Sequence, residues 1–269
     1  MNDTKALLRL LTPYTVPGLR MERWGPTTDG GYVLPADIMK QCSVLLTGGV
    51  GDNLWFEADV AAKVPNMRMA LFDHTIAAAP THIPAAATWH SLGLSGTARA
   101  GFATLRRACD LAGLTTTDTL VLKLDIESAE WEVLAASVDE ILKRTSILII
   151  EYHDLSLRDR WKEFRLVLEK VNAYLLPIHV HGNNYSSITN ISRYSAPVPD
   201  VIEVTYINRN LIQSVGGQLP TVWDHDAPTL LDKPNKEGAE DYRFNYWSDL
   251  PKRRRQRLWQ QLKRLFSRK

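Results

Sequence analysis

The chain has 269 residues, 45% hydrophobic and 23% charged, a globular composition that excludes a disordered chain, a collagen and a disulfide-stapled miniprotein. Its formal net charge of +2 conceals an asymmetry: Lys252 to Lys269 holds nine basic residues and no acidic one, which leaves 23 basic against 30 acidic residues elsewhere, a net of −7. One domain with extensions fits the length and pattern better than two.

In chain order, Met1 to Leu11 carries Asp3 and no long apolar run, so no secretory signal is read there. Residues 1–42 read as an N-terminal extension with Asp29-Gly30-Gly31-Tyr32 ahead of the first sheet strand, either part of a lid or a plain hairpin turn. Ser43–Thr47 is a short apolar run ended by glycines, hence a buried strand. A helix is predicted from Asn53 to Val64, with Asp52 or Asn53 as its N-cap. Strands are predicted at Arg68–Phe72 and Ala86–Trp89, and a helix over Phe102–Leu111 that Gly113 ends. Leu120–Leu124 is the next strand, followed by a helix over about Ser128–Ala136; Ser146–Ile150 and a helix over Arg158–Val171 repeat the unit. Two late strands, about Tyr174–Val180 and Val201–Ile207, are joined by a loop and so are predicted antiparallel. Strand–helix repetition implies a mostly parallel sheet covered on both faces, here with one antiparallel strand near an edge. The pattern fades over 208–249, read as an irregular wrap around a single domain of 1–249. Cys42 and Cys109 read as free buried thiols of a reduced compartment. The longest aliphatic stretch, Ile147–Ile150, is too short to span a bilayer, and the expected location is cytoplasmic.

Five motifs carry chemistry. Gly48-Gly49-Val50-Gly51-Asp52-Asn53 turns a strand into a helix, where backbone approaches a ligand closely and the helix N-terminus favours anions. The dinucleotide fingerprint would place a third glycine where Leu54 stands, so a dehydrogenase reading weakens. S-adenosylmethionine suits this shorter turn: glycine backbone for its carboxylate and Asp52 for its ammonium, against a plain strand–helix turn. Asp73, ending the next strand, suits both hydroxyls of a ribose, or merely a turn. Asp125 ends the fourth strand over the cleft, with Lys123 on the same sheet face; Glu127 and Glu130 flank the next helix start, where at least one is expected to cap. Glu151 and His153 lie two apart at the end of the fifth strand. His153 suits a general base oriented by Glu151 or Asp125; Asp125, Glu151 and His153 would alternatively hold a divalent metal. His181, Asn183 and Asn184 end the sixth strand and suit either sugar hydroxyls or a turn, while Leu92, after the third, is placed to flank an adenine.

The ordered set Asp29-Gly30-Gly31-Tyr32-Val33, Gly49-Val50-Gly51-Asp52 with Phe56-Glu57, Phe72-Asp73, Lys123-Leu124-Asp125-Ile126-Glu127 with Glu130-Trp131, Glu151-Tyr152-His153 and His181-Gly182-Asn183-Asn184 resembles FkbM-like, S-adenosylmethionine-dependent methyltransferases over about Arg23 to Ile207. Ser128 stands where that family usually has glycine. The resemblance implies a Rossmann-like class I methyltransferase fold with a seven-stranded sheet, S-adenosylmethionine as cofactor, and O-methylation of hydroxyls, often on sugars. The substrate-side residues implied are His181, Asn183, Asn184 and Tyr32, with a glycan or glycolipid-linked acceptor.

After Pro251, Leu258, Trp259, Leu262, Leu265 and Phe266 recur at helical spacing among basic residues. A basic amphipathic helix over 250–269 suits an anionic membrane surface, reached through 252–269, at the inner membrane face. Docking on the acidic body is the alternative; nucleic acid ranks lower, since phosphate binding needs no apolar stripe. A non-catalytic binding module on a methyltransferase fold remains the competing functional reading.

Overall fold

The computed structural model describes residues 3–76, 78–189, 198–212 and 219–248, with side chains of 3–5 and 189 left aside. The amphipathic stretch expected over 250–269 lies outside the described residues. Seven strands form one sheet: β1 (Val44–Gly48), β2 (Arg68–Phe72), β3 (Ala87–His90), β4 (Leu120–Leu124), β5 (Thr145–Tyr152), β6 (Leu175–Gly182) and β7 (Ile202–Asn208). Their spatial order is β6-β7-β5-β4-β1-β2-β3. Only β7 runs against its neighbours, pairing antiparallel with both β5 and β6. This is the Rossmann-like architecture of class I methyltransferases, a mostly parallel sheet with one reversed strand beside an edge.

Strand alternation divides the apolar side chains between two faces. Leu46, Phe72, Leu122, Leu148, Ile150 and Val204 pack on one side, against α3 (Leu105–Leu111), α4 (Glu130–Ala136), α5 (Asp139–Arg144) and α6 (Trp161–Tyr174). The first helix, α1 (Asp3–Leu10), lies against α6 on this side. On the other side Leu45, Leu71, Val121 and Ile149 pack against α2 (Trp55–Lys63) and a hairpin of Met21–Trp24 with Tyr32–Pro35. Every residue of β1, β4, β5, β6 and β7 is buried, as a two-sided sheet requires.

Apart from β2 and β4, element boundaries shift by up to three residues from the sequence reading, and three of the shifts have a clear local cause. The first sheet helix begins at Trp55 rather than Asn53: its N-cap position is Leu54, and Asn53 instead accepts from the Trp55 N–H at 2.9 Å in a turn before the helix. The stretch from Phe102 is not yet helical. Phe102–Ala103 pairs with Gly93–Leu94, and α3 begins after Thr104, whose hydroxyl accepts from the Arg107 N–H. Finally, α4 begins at Glu130 rather than Ser128, because Glu127 (φ +52°) and Ser128 (φ +78°) are both left-handed. Ser128 thus occupies a conformation that costs a side-chain-bearing residue roughly 1–2 kcal/mol and that glycine adopts freely. Neither Glu127 nor Glu130 caps the helix: the N-cap position is Ala129, with no side-chain bond.

Residues 219–248 contain no helix. Thr221–Val222 pairs with Tyr14–Thr15, and Trp223, Phe244, Tyr246 and Trp247 bury themselves against the sheet. Among the described residues, no helix is long and apolar enough to cross a membrane.

Candidate active site

A cleft of about 330 Å³ opens at the carboxyl ends of β1, β2 and β4. This is the edge at which open α/β sheets bind ligands. Its floor is the turn after β1. Gly49 (φ +78°) lies so close to the Asp125 carbonyl that a Cβ there would be 1.6 Å from it, so only glycine fits. The Asp125 N–H donates to Gly48 O and the Gly49 N–H to Phe72 O, tying the three strand ends together.

Asp73 organises this turn. Its Oδ2 accepts from the Val50 and Gly51 N–H groups at 2.9 and 2.8 Å, and its Oδ1 accepts from the Thr75 N–H and hydroxyl. Burial would raise this carboxyl, but the bonds from Thr75, Gly51 and Val50 outweigh it and hold it below the usual range. Of the glycine amides that sequence reasoning offered to a ligand carboxylate, that of Gly51 therefore already serves Asp73 and that of Gly49 serves Phe72 O. Asp73 lines the cleft with Asp29, Tyr32, Glu57, Lys123 and Asp125. Lys123 is buried; its Nζ donates to Gly49 O at 3.2 Å and lies 3.7 Å from Asp125 Oδ2. The Tyr32 hydroxyl donates to that same oxygen at 3.3 Å. Burial, then the Asp125, Glu151, Glu203 and Asp29 charges, push this phenol well above its ordinary value, so it stays a donor. Glu57, in the first turn of α2, is wholly buried and accepts from Thr47 Oγ1.

Other expected ligand residues stand elsewhere. Asp52 is exposed and outside the cleft wall. Gly48 completes β1 beneath the turn. Leu92 packs against the core, and the wall near it is made by Gly93 and Leu94.

His153 stands beyond the end of β5, held by the start of α4. The Trp131 Nε1–H donates to its carbonyl at 2.9 Å, its own N–H donates to Glu130 Oε1 at 2.8 Å, and its Nδ1 lies 3.0 Å from that oxygen. Glu130 is fully buried. The residue that orients His153 is thus Glu130, not Glu151 or Asp125; the sequence signal was an acid beside Trp131 on the buried face of a helix. The other ring nitrogen, Nε2, lies 3.5 Å from Glu127 Oε2 at the cleft mouth. Burial would lower the imidazole, but the Glu130 bond and the Glu130, Asp125 and Glu127 charges outweigh it and lift it to about 9. Donor atoms of Asp125, Glu127 and His153 all lie within 4.8 Å of one another. In that grouping Glu127 replaces Glu151.

Glu151 turns into a buried network that meets the cleft at Asp125 and Asp29. Register places Glu151 opposite Glu203, and Glu203 opposite His181. Directly opposed carboxyls repel. Asn183 Nδ2 donates to Glu151 at 2.5 Å, Asn235 Nδ2 donates to Glu203 at 2.6 Å and to Asp29 at 2.9 Å, and His181 bridges Glu203 and Asp241 at 3.0 and 2.9 Å. Burial, then the Asp125 and Glu203 charges, push Glu151 well above the carboxylate range. Burial would lower His181, yet its Asp241 and Glu203 bonds lift it to about 10. Asn184 donates to Glu240 O and accepts from the Lys236 N–H. So the polar atoms of His181, Asn183 and Asn184 are engaged within the protein, and two of these residues tie residues 235–241 to the sheet.

No family model matches the chain, and no curated protein matches it. Among solved structures it is similar to the precorrin-6y C5,15-methyltransferase of Geobacter metallireducens GS-15, with 13% identity over 64% of this chain and 86% of that one and a TM-score of 0.33. A chain described as an rRNA methylase from Clostridium thermocellum shows the same identity and TM-score over 64% of this chain and 92% of that one. Likeness at this level assigns no activity.

Proposed function

We propose that the protein is an S-adenosylmethionine-dependent O-methyltransferase acting on a hydroxyl of a sugar, glycan or glycolipid-linked acceptor, as the resemblance to FkbM-like enzymes implies. The observation that carries the cofactor reading is the charge of the cleft. Asp29, Glu57, Asp73, Asp125 and Glu127 line it against one cation, Lys123. Such a wall repels a pyrophosphate and attracts a sulfonium and an ammonium, while Lys123 suits the carboxylate. In this reading Asp73 receives ribose hydroxyls at the oxygen that Thr75 now serves.

S-adenosylmethionine, when bound, would supply an electrophilic methyl group to the acceptor hydroxyl, whose proton must pass to this chain. His153 Nε2 takes that proton, with Glu130 fixing the ring through Nδ1. A second reading is favoured by the three donors within 4.8 Å: a divalent cation on Asp125, Glu127 and His153, a mixed N/O set.

Thermal unfolding with S-adenosylhomocysteine tests the cofactor. A ligand at about 100 times its Kd stabilises by about 2.7 kcal/mol, so a rise of roughly 5–10 °C is expected at about 2–4 °C per kcal/mol. No rise, or an equal rise with NAD, refutes the assignment. Cofactor binding without methyl transfer to any extract of the source cell leaves the binding-module reading standing. Loss of transfer in EDTA assigns His153 to a cation; unchanged transfer assigns it to the proton.

A further inference from the structure

A second and larger cavity, about 720 Å³, lies behind the N-terminal hairpin. Tyr32 reaches the cleft from that hairpin and Val33, its neighbour, lines the second cavity. The volume is in the range of small-molecule sites, about 300–1,000 Å³. Val16, Leu19, Met21, Val33, Ile178 and Trp223 make its inner wall. Three polar side chains of the wall bond to groups behind it: His179 and the Thr229 hydroxyl to Asp232 at 3.2 and 2.9 Å, and Asp226 to Asn245 at 2.5 Å. The interior therefore suits a chain without polar groups.

The mouth is different. Leu230 is 99% exposed and Leu231 38% exposed, adjacent on one loop at the lip. Arg243 stands at the same lip, exposed and with no carboxylate partner among the described residues. A leucine pushed fully into solvent, with a partly exposed one next to it and a cation that has no carboxylate partner among the described residues, matches a membrane interface, where leucine enters the acyl boundary and arginine meets phosphate. The chain order adds to this. The Trp247 ring packs 5.7 Å from the Trp223 ring of the cavity wall, and the nine basic residues begin five positions later, at Lys252.

We infer that this cavity takes one hydrocarbon chain of an anionic membrane lipid, with the headgroup on Arg243 and Leu230 and Leu231 seated in the membrane surface.

Flotation of the full chain with phosphatidylcholine vesicles, with and without phosphatidylglycerol, tests this at about 0.15 M and about 1 M salt, where screening lengths are about 8 and 3 Å. The wild type is expected on phosphatidylglycerol vesicles at both salts. Leu230→Asp/Leu231→Asp, a change confined to the exposed lip, is expected to weaken partitioning about tenfold, and Arg243→Glu to remove the preference for phosphatidylglycerol. The fluorescent fatty acid cis-parinaric acid reads the cavity itself. Met21→Trp, at the half-buried wall, is expected to lose its binding about tenfold with an unchanged melting midpoint. Vesicle binding that the leucine changes leave intact overturns the assignment in favour of the basic run alone. A chain that ignores vesicles but dimerises through the same leucines in the ultracentrifuge overturns it in favour of a second copy.

Discussion

His153, which meets the cleft lining through Glu127, carries the sharpest pH consequence. Its imidazole is lifted from 6.5 to about 9 by Glu130 and its acidic neighbours against the opposing effect of burial. A base must be unprotonated to act, so turnover at saturating cofactor should climb as pH rises and level off above about 9. Glu130→Gln removes the dominant charge and should move the midpoint toward 6.5 while loosening the ring. A rate profile flat between those values, or a midpoint unmoved in the variant, removes His153 from the chemistry. The pairing was half legible: His153 beside a strand end is a sequence pattern, whereas its carboxylate partner is 23 residues upstream on a helix. Alternation along a strand relates Glu151 to His153, but the chain leaves the strand after Tyr152 and that relation fails. Asp52 failed for a similar reason: the turn it follows is closed inward by Asp73, leaving Asp52 in solvent.

Elements with strong apolar periodicity were legible, and those held by scattered polar contacts were not. β2 and β4 match the sequence reading to the residue, because each is an unbroken apolar run bounded by turn residues. The 219–248 segment shows no period, since a few aromatic anchors and the bonds of Asn235 and Asp241 hold it. Those bonds are titratable. His181 is raised from 6.5 to about 10 by Asp241 and Glu203, with Asp232 adding its charge, against burial. A raised histidine stabilises fully below its unfolded value and loses that contribution as pH rises through its folded one. The melting midpoint should therefore fall between pH 6.5 and about 10. Asp241→Asn should make that fall shallower and speed tryptic cleavage at Lys236 near neutral pH. Parallel falls in the two proteins would show that the His181 bridge does not hold the segment.

The described residues are built on one seven-stranded sheet with two apolar faces, and each face has one thiol packed on its side. Cys42 belongs to the apolar cluster on the side of α2 and the hairpin, whereas Cys109, on α3, belongs to the cluster on the opposite side. Both are buried and free. Burial raises them to about 12 and about 11 respectively, so neither offers appreciable thiolate near neutral pH. Because side chains alternate along every strand, Leu45 and Leu46 serve opposite faces from adjacent positions, as do Ile149 and Ile150. Opening one face must disorder strands that support the other. A chain of this length is beyond the size at which all-or-none unfolding is assured. The two thiols nonetheless make the question measurable without substitution. Pulse labelling across a urea titration, with each cysteine-bearing peptide quantified by mass spectrometry, should show negligible labelling in water and one common midpoint for Cys42 and Cys109. If Cys109 became reactive at lower urea than Cys42, the helical face would be coming away while the hairpin face stayed packed, and strand sharing would not make the domain a single cooperative unit.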